Sequence, residues 1–288
     1  MKKLIFILVL LLVPISDLFS QNTDTNKVSE IFSTIHIING HSTETLKQRQ
    51  WRYIIGHRFG DVSGGAQTAF GFDDAADIRF GFDFGLTDEL MVGISRLKGS
   101  GSPYRSIIEG FAKYRFLDQK KDNSIPVSLS LASTVYGTYM PSSGDPNLVT
   151  DFSDFAHRFA YASQITVARK FHPRLSIALM PSHVHRNIVH GNDVNSLFAL
   201  GGAVNFKLFK KLGLVAEHFQ TFSPSGMREN YENSTSFALE WITNGHNFSF
   251  NFTNARGFGE LQYIALTGSD WLQGQFRFGF SITRTFKY

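Results

Sequence analysis

Apolar and polar residues alternate one by one along much of this chain. The clearest example lies near its end, where one series is apolar and the other polar: Phe276, Phe278, Phe280 and Ile282 against Gln275, Arg277, Gly279, Ser281 and Thr283. Successive side chains of a β-strand point to opposite faces of the sheet. The period of two therefore predicts strands with one apolar face and one polar face.

The same test predicts twelve strands. They start near Gln50, Asp77, Glu89, Arg105, Ile125, His157, Leu175, Val194, Leu212, Asn233, His246 and Gly274. Single-chain barrels of bacterial outer membranes have an even number of strands. The count is compatible with closure of all twelve strands into one barrel.

Short and long connections alternate between these strands. The short ones cover residues 86–88, 118–124, 170–174, 207–211 and 243–245, and the others cover 60–76, 98–104, 137–156, 186–193, 223–232 and 254–273. Outer-membrane barrels have short periplasmic turns and longer extracellular loops. The sequence thus predicts an all-β fold, a transmembrane antiparallel up-and-down β-barrel, with the C-terminus at the periplasmic rim.

The alternative fold is a soluble periplasmic β-sandwich or a lipocalin-like barrel, because any half-buried sheet alternates. The regular order of loop lengths disfavours it. The 29 phenylalanines, dispersed in short alternating strings, also favour a lipid-facing wall.

The first residues have the features of a secretory signal peptide. Lys2 and Lys3 precede an apolar run from Leu4 to Val13, and Pro14 and small or polar residues lead to Ser20. That run is far shorter than the ~20 residues of a membrane-spanning helix, so we expect cleavage after Ser20. The predicted organisation is a signal peptide (1–20), an N-terminal periplasmic segment or plug (21–49) and an outer-membrane barrel (50–288) of a Gram-negative bacterium.

The segment before the first strand contains an apolar string: Ile31, Phe32, Ile35, Ile37 and Ile38. It either closes the periplasmic mouth as a plug or serves as a docking arm for a periplasmic partner. A free arm would expose five large apolar side chains to water. We therefore favour the plug.

Composition excludes several function classes. The chain has no cysteine, which rules out a lipid-modified cysteine, a disulfide, a thiolate metal site and a cysteine nucleophile. Its net charge of +4 falls by only one when Lys2, Lys3 and Asp17 leave with the signal. This charge is too small and too scattered to indicate nucleic-acid binding.

If the phenylalanine-rich face meets lipid, a set of charged and polar residues faces the lumen: Arg79, Asp83, Glu109, Lys113, Arg115, Gln164, Glu240, Arg277 and Thr283. Buried ionised groups require partners or water. These residues either pair across the lumen and close it or line a conducting pore. A twelve-stranded barrel is compatible with both, since eight strands nearly fill and sixteen leave a channel.

Candidate chemistry is sparse. His183, His185 and His190 form a local histidine cluster and are weak metal-ligand candidates. Ser182 and His183 are adjacent and hence point to opposite faces of a strand, which argues against a serine hydrolase. We predict no enzyme activity, no metal and no other cofactor.

Aromatic residues in the longer connections have two interpretations. They either bind a partner, or they fold inward as a plug or sit in the interfacial aromatic girdle, and we favour the second interpretation. The aromatic residues are Tyr139, Phe152, Phe155, Tyr231, Phe258, Tyr263 and Trp271, and Met140 follows Tyr139.

Two motifs carry a family resemblance. The stretch Ile38-Asn39-Gly40-His41-Ser42, with Glu44, and the later stretch Ile55 to Asp61 resemble the N-terminal signature of an uncharacterised family of Bacteroidota-type outer-membrane β-barrels, and Phe82 to Asp88 resembles its second strand and first turn. The family is a domain of unknown function, so the resemblance implies a fold and a location and assigns no residue a role. The terminal Phe286 and Tyr288 resemble the signal that barrel-assembly machinery reads.

Two functions remain open at this point. The first is a small porin-like channel for a modest polar solute. The second is a closed barrel that acts as an envelope scaffold or interaction protein, and an outer-membrane lipid hydrolase is a distant third. The expected partners are outer-membrane lipid, the assembly machinery and, for the scaffold, another envelope protein.

Overall fold

The computed structural model describes residues 26–99 and 104–288, and the predicted signal peptide lies outside these ranges. Twelve antiparallel strands form one closed barrel, in which each strand pairs with its sequence neighbours and the first strand pairs with the last. Closure leaves no free sheet edge. The predicted fold class and strand number are confirmed.

The strands are β1 (Gln50–Phe59), β2 (Ala75–Gly85), β3 (Leu90–Lys98), β4 (Ser106–Leu117), β5 (Ser128–Thr138), β6 (Phe159–His172), β7 (Leu175–Arg186), β8 (Ser196–Phe209), β9 (Leu212–Phe222), β10 (Ser234–Ile242), β11 (Asn247–Thr253) and β12 (Arg277–Lys287). Every predicted start lies within three residues of the observed one. The period-two pattern was sufficient because one face of each strand is mainly apolar.

The outer wall of the barrel is apolar. Large side chains at alternate positions are exposed, among them Phe80, Phe84, Phe198, Phe206, Phe237 and Phe252. The residues between them point inward and are buried, as in the pattern of β5 and β6. The phenylalanine-rich face thus lies on the outside of the barrel.

The two rims of the barrel differ in the length of the connections that they carry. The short-turn rim carries the connections 86–89, 118–127, 173–174, 210–211 and 243–246, and the long-loop rim carries 60–74, 99–105, 139–158, 187–195, 223–233 and 254–276. Short helical pieces occur in the long loops: 3-10 turns at Val62–Gly71, Phe155–Arg158 and Trp271–Gln273, and α1 at Glu260–Tyr263. Among the described residues, none of the helices has the length and apolarity of a membrane crossing.

Two segments occupy the interior. One is residues 26–49, here called the luminal segment, and the other is the β11–β12 connection, residues 254–276, here called loop L6. Ile31, Phe32 and Ile38 of the luminal segment and Phe258, Leu261 and Tyr263 of loop L6 belong to one buried apolar cluster with inward residues of the wall. The lumen thus has a packed core.

Candidate functional site in the barrel lumen

A tight hairpin lies at the centre of the lumen. In the luminal segment, the amide of Ile37 donates to the carbonyl of Gly40 at 2.7 Å, and the amide of Ser42 donates to the carbonyl of Ile35 at 2.9 Å. His36 and His41 face each other across this turn. The hairpin presents residues 37–40, here called the tip, to the barrel wall.

Glu217 on β9 binds the tip. Its carboxylate accepts the backbone amides of Ile38 at 3.2 Å, Asn39 at 3.0 Å and Gly40 at 3.1 Å, and the Asn39 side-chain Nδ2 at 2.8 Å. Hydrogen bonds to an ionised acceptor are about twice as strong as neutral ones. One wall residue therefore satisfies four donors of the tip.

Both the nitrogen and the oxygen of the Asn39 carboxamide form hydrogen bonds with the wall. Its Nδ2 also donates to Ser236 Oγ at 3.0 Å, and its oxygen accepts a hydrogen bond from the guanidinium of Arg58 on β1. Arg58 also donates to the carbonyls of Ala255 and Gly257 in loop L6. A fully buried arginine consequently joins the barrel wall, the luminal segment and loop L6.

Gly40 permits the close approach of the tip to the wall. A Cβ atom at this position would lie 2.8 Å from Phe219 Cζ and 2.9 Å from Met180 Sδ. Real Cβ atoms do not approach neighbours so closely. The asparagine and glycine at the tip hence have separate roles, one in hydrogen bonding and one in packing.

Other strands hold the base of the hairpin. Lys113 on β4 donates to the carbonyls of Ile35 at 2.9 Å and Ser42 at 3.1 Å. On β6, Gln164 Nε2 and Thr166 Oγ1 both donate to the carbonyl of His41 at 2.8 Å. The wall thus contacts the hairpin through side chains from several directions.

Loop L6 meets the hairpin at a buried acid. Glu260 of α1 lies 3.2 Å from His41 Nε2, and it accepts a hydrogen bond from the Tyr136 hydroxyl on β5. The amide of Glu260 in turn donates to the Tyr136 hydroxyl at 2.8 Å. This contact couples the two segments that fill the lumen.

A family model matches residues 32–286 of the chain, and its description is a membrane-bound beta barrel domain, DUF5777. The chain belongs to this family. The match begins inside the luminal segment, so the family domain includes the central hairpin as well as the wall.

Several solved structures are similar to this DUF5777 barrel, to different degrees. The NanC porin has a TM-score of 0.50 at 8% identity, with 83% of this chain and 100% of that chain covered. The KdgM porin, solved in complex with disordered oligogalacturonate, has a TM-score of 0.49 at 10% identity, with 82% and 99% covered. Omp33 of Acinetobacter baumannii has a TM-score of 0.42 at 9% identity, with 83% and 99% covered.

At such identities the likeness to the NanC porin establishes the porin fold alone. No curated protein matches this chain in sequence.

The predicted lumen residues lie on the inner face of this DUF5777 barrel and are largely paired. Arg79 binds Glu109, and Arg52 Nη2 donates to the Asp83 carboxylate at 2.6 Å. Glu240 accepts a hydrogen bond from Asn205 at 3.1 Å. Gln164, Lys113 and Thr283 are buried inside, whereas Arg115 and Arg277 lie towards the rims and bind Asp118 and Asp61.

His183 and His185 point outward from β7, and His190 lies in the loop that follows this strand. The His183 ring contacts Phe198, and His185 Nδ1 lies 2.8 Å from Ser196 Oγ. Within residues 26–99 and 104–288 there is no group of three or more potential ligands that could hold a metal ion. Ser182 faces inward and donates to the Met180 carbonyl, so it is separated from His183 by the wall.

At the chain end, Phe286 stacks on Trp51 with ring centroids 4.4 Å apart, and Tyr288 is exposed at the short-turn rim.

The aromatic residues of the long loops are partly packed inside the protein and partly exposed. Phe152, Phe258 and Tyr263 are buried, and Trp271 stacks on Phe276, but Phe155 and Tyr139 are exposed.

Sequence reasoning missed the residues that hold the hairpin, namely Arg58, Tyr136, Glu217, Ser236 and Glu260. Arg58 and Glu217 occupy inward positions of predicted strands, so the alternation could have included them with the other luminal charges. Glu260 lies in a long connection, where no alternation of apolar and polar residues shows which side chains point inward. Its inward position depends on how loop L6 folds.

Proposed function

We propose that this chain is a porin-like channel of the outer membrane of a Gram-negative bacterium, closed at rest and permeable to a modest polar solute. In this proposal the chain is exported with a signal peptide cleaved after Ser20. Its short-turn rim faces the periplasm, and barrel-assembly machinery recognises Phe286 and Tyr288. The luminal segment acts as a plug.

The observation that carries the proposal is the way the luminal segment is attached. Its isolated β-bridges within the described residues are Lys27 with Lys120, at a turn, and His36 with His41, within the hairpin. The tip is bound through the side chains of Glu217 and Arg58, and the base of the hairpin through that of Lys113. Because the wall closes without the luminal segment, displacement of that segment breaks no strand pairing of the barrel.

The inner face of the wall behind the luminal segment carries side chains that water can hydrate. It retains charged side chains on several strands, including Arg52, Asp83, Arg79, Glu109 and Glu217. A permanently dry core gains little from such pairs, since apolar replacements of a buried ion pair are often neutral or stabilising. After withdrawal of the tip these groups would be hydrated and would line a polar passage.

Single-channel conductance of the refolded mature protein in planar bilayers tests the proposal. Asn39→Asp changes no volume but places a carboxylate against Glu217, and two carboxylates in contact repel each other. We expect rare openings of the unchanged protein and frequent steps for Asn39→Asp. Asn147→Asp in an exposed long loop makes the same chemical change away from the lumen and serves as the control.

A second candidate function is the closed envelope scaffold. The observation that favours it is the continuous apolar cluster formed by the luminal segment, loop L6 and the wall. Silence of Asn39→Asp, in protein whose barrel is intact by circular dichroism and gel mobility, would contradict the channel and support the scaffold.

A further inference from the structure

One side of the lumen is lined with small polar residues. Inward positions of β11 and β12 lie directly opposite each other in the ladder, from the long-loop rim to the short-turn rim. The residues that define this polar lane are Thr253, Asn251, Ser249 and Asn247 on β11, with Ser281 and Thr283 on β12. They are uncharged, and each carries a hydroxyl or a carboxamide group.

The opposite wall has a different character. β6 lies halfway around the ring from β12. Its inward residues Ala160 and Ala162, together with Met180 and Val184 of β7, pack into the apolar cluster with the luminal segment and loop L6. The long-loop half of this wall is thus apolar, whereas Gln164 and Thr166 further along β6 bind the hairpin.

Several polar atoms of the lane have no hydrogen-bond partner in the protein. They are Asn247 Oδ1, Ser249 Oγ and Asn251 Oδ1, all on β11 and all shielded from bulk solvent. Most buried polar groups in proteins are hydrogen-bonded to protein or to ordered water. Three unpaired atoms in sequence along one strand indicate a place for water or for a polar solute.

A cavity lies at each end of the lane. The inner cavity of about 30 Å³ is lined by Asn247, Ser249, Ser281 and Thr283 among others, and it can hold a water molecule. The outer cavity, of about 760 Å³, opens at the long-loop rim and is lined by Asp61, Ser269 and Arg277 among others. Arg277 pairs with Thr253 in the ladder, so the outer cavity reaches the top of the lane.

Arg58 and Phe258 interrupt the lane between the two cavities. The Arg58 guanidinium lies 4.3 Å from the centroid of the Phe258 ring. Two glycines make room for this pair: a Cβ at Gly56 would be 2.8 Å from Phe258 Cε1, and one at Gly279 would be 2.9 Å from Arg58 Cγ. Phe258 also lines the inner cavity.

We infer that the polar lane is the permeation path of the channel, that Arg58 and Phe258 form its constriction, and that it admits small uncharged solutes rich in hydroxyl groups, such as a sugar or polyol. The inference rests on the proposed channel function. Serine, threonine and asparagine both donate and accept hydrogen bonds, as hydroxyl groups of such a solute do. The six residues of the lane carry no charge, and the arginines beside it are bound to groups of the protein: Arg52 to Asp83, Arg79 to Glu109, and Arg58 to the carbonyls of Ala255 and Gly257.

Because the chain contains no cysteine, single cysteines can map the path in the Asn39→Asp protein. We expect an uncharged, hydroxyl-bearing, water-soluble thiol reagent to modify Ser249→Cys and Ser281→Cys and to reduce the conductance of both. Ala162→Cys on β6 should remain unmodified. If Asn39→Asp conducts and Ala162→Cys is modified while the lane cysteines are not, the inferred path is wrong although the channel stands.

Liposome swelling tests the constriction and the class of solute. Phe258→Ala should raise the rate of mannitol entry several-fold and should raise gluconate entry less. Leu197→Ala, which removes a buried apolar side chain on β8 away from the lane, is the matched control. Equal gains for mannitol and gluconate would overturn the solute class, and an equal effect of Leu197→Ala would overturn the constriction.

Discussion

The Asn39 carboxamide lies against the Glu217 carboxylate, with Nδ2 and Oε1 2.8 Å apart, although the two residues are 178 positions apart in the chain. β9 must therefore be in place before the tip can bind. Since the wall also provides Arg58 from β1, both sides of the binding site exist together only in the closed barrel. The hairpin is expected to dock after the wall forms.

Glu217→Gln should loosen the tip without disturbing the wall. The glutamine loses the negative charge and directs an amide group at donors, and a hydrogen bond to a charged group contributes about 1.5–3 kcal/mol. Hydrogen exchange of the Ile38, Asn39 and Gly40 amides should accelerate by about tenfold or more. Glu229→Gln in an exposed loop should leave these amides unchanged, and unchanged exchange in Glu217→Gln would contradict the assigned role.

Gly40→Ala should displace the tip by overpacking. The added methyl group meets Phe219 and Met180, and forcing an extra methyl into a packed core costs about 1–3 kcal/mol. Phe219→Leu in the same chain should relieve part of this cost. Gly202→Ala is the control, because no atom lies within 4 Å of its added Cβ. The measurement is the local free energy of opening from hydrogen exchange of residues 36–42.

The wall could be predicted from the sequence because its pattern is strictly local. Each strand alternates, and short turns such as residues 173–174 permit only an antiparallel return of the chain. The even number of strands was compatible with closure of the barrel. For this reason the predicted starts of β1, β7 and β9 agree with the observed ones.

The contents of the lumen were predictable only in part. The apolar string from Ile31 to Ile38 indicated burial, but alternation says nothing about which wall residues receive it. Nothing in the sequence around Glu217 or Asn39 indicates that these two residues meet, since their contact depends on the barrel circumference and the strand register. The same holds for Phe258. It lies in a long loop, whose sequence has no alternating pattern that would show whether the aromatic ring points inward or is exposed.

The luminal ion pair of Arg52 and Asp83 should behave as a structural pair. Arg52→Met leaves the Asp83 carboxylate buried without its partner, and breaking a buried pair in this way costs about 3–5 kcal/mol. The double variant Arg52→Met with Asp83→Leu should recover most of that loss. Unfolding in urea, followed by tryptophan fluorescence, measures each step of the cycle. Additive losses in the double variant would show that the two residues act independently.

Asp193 connects three long loops at the long-loop rim. Its protonation at low pH should break these connections and loosen the loops. It accepts hydrogen bonds from Arg186 at 2.7 and 2.8 Å and binds Arg228, which donates to the Ala265 carbonyl of loop L6 at 2.8 Å. Burial raises the pKa of Asp193, but the hydrogen bonds and charges of Arg186 and Arg228 more than offset it, and the pKa lies below its ordinary value.

A carboxyl whose pKa is depressed in the folded state stabilises that state above its unfolded pKa of about 3.9, and the stabilisation is lost as the pH falls through the lower folded pKa. We expect protease cleavage of loop L6 to be slow and constant between neutral pH and about pH 5 and to accelerate below the unfolded pKa. In Asp193→Asn cleavage should already be fast at neutral pH and should lose this acid dependence. Asp145→Asn, in an exposed loop, is the control, and an unchanged acid profile in Asp193→Asn would assign the dependence to another group.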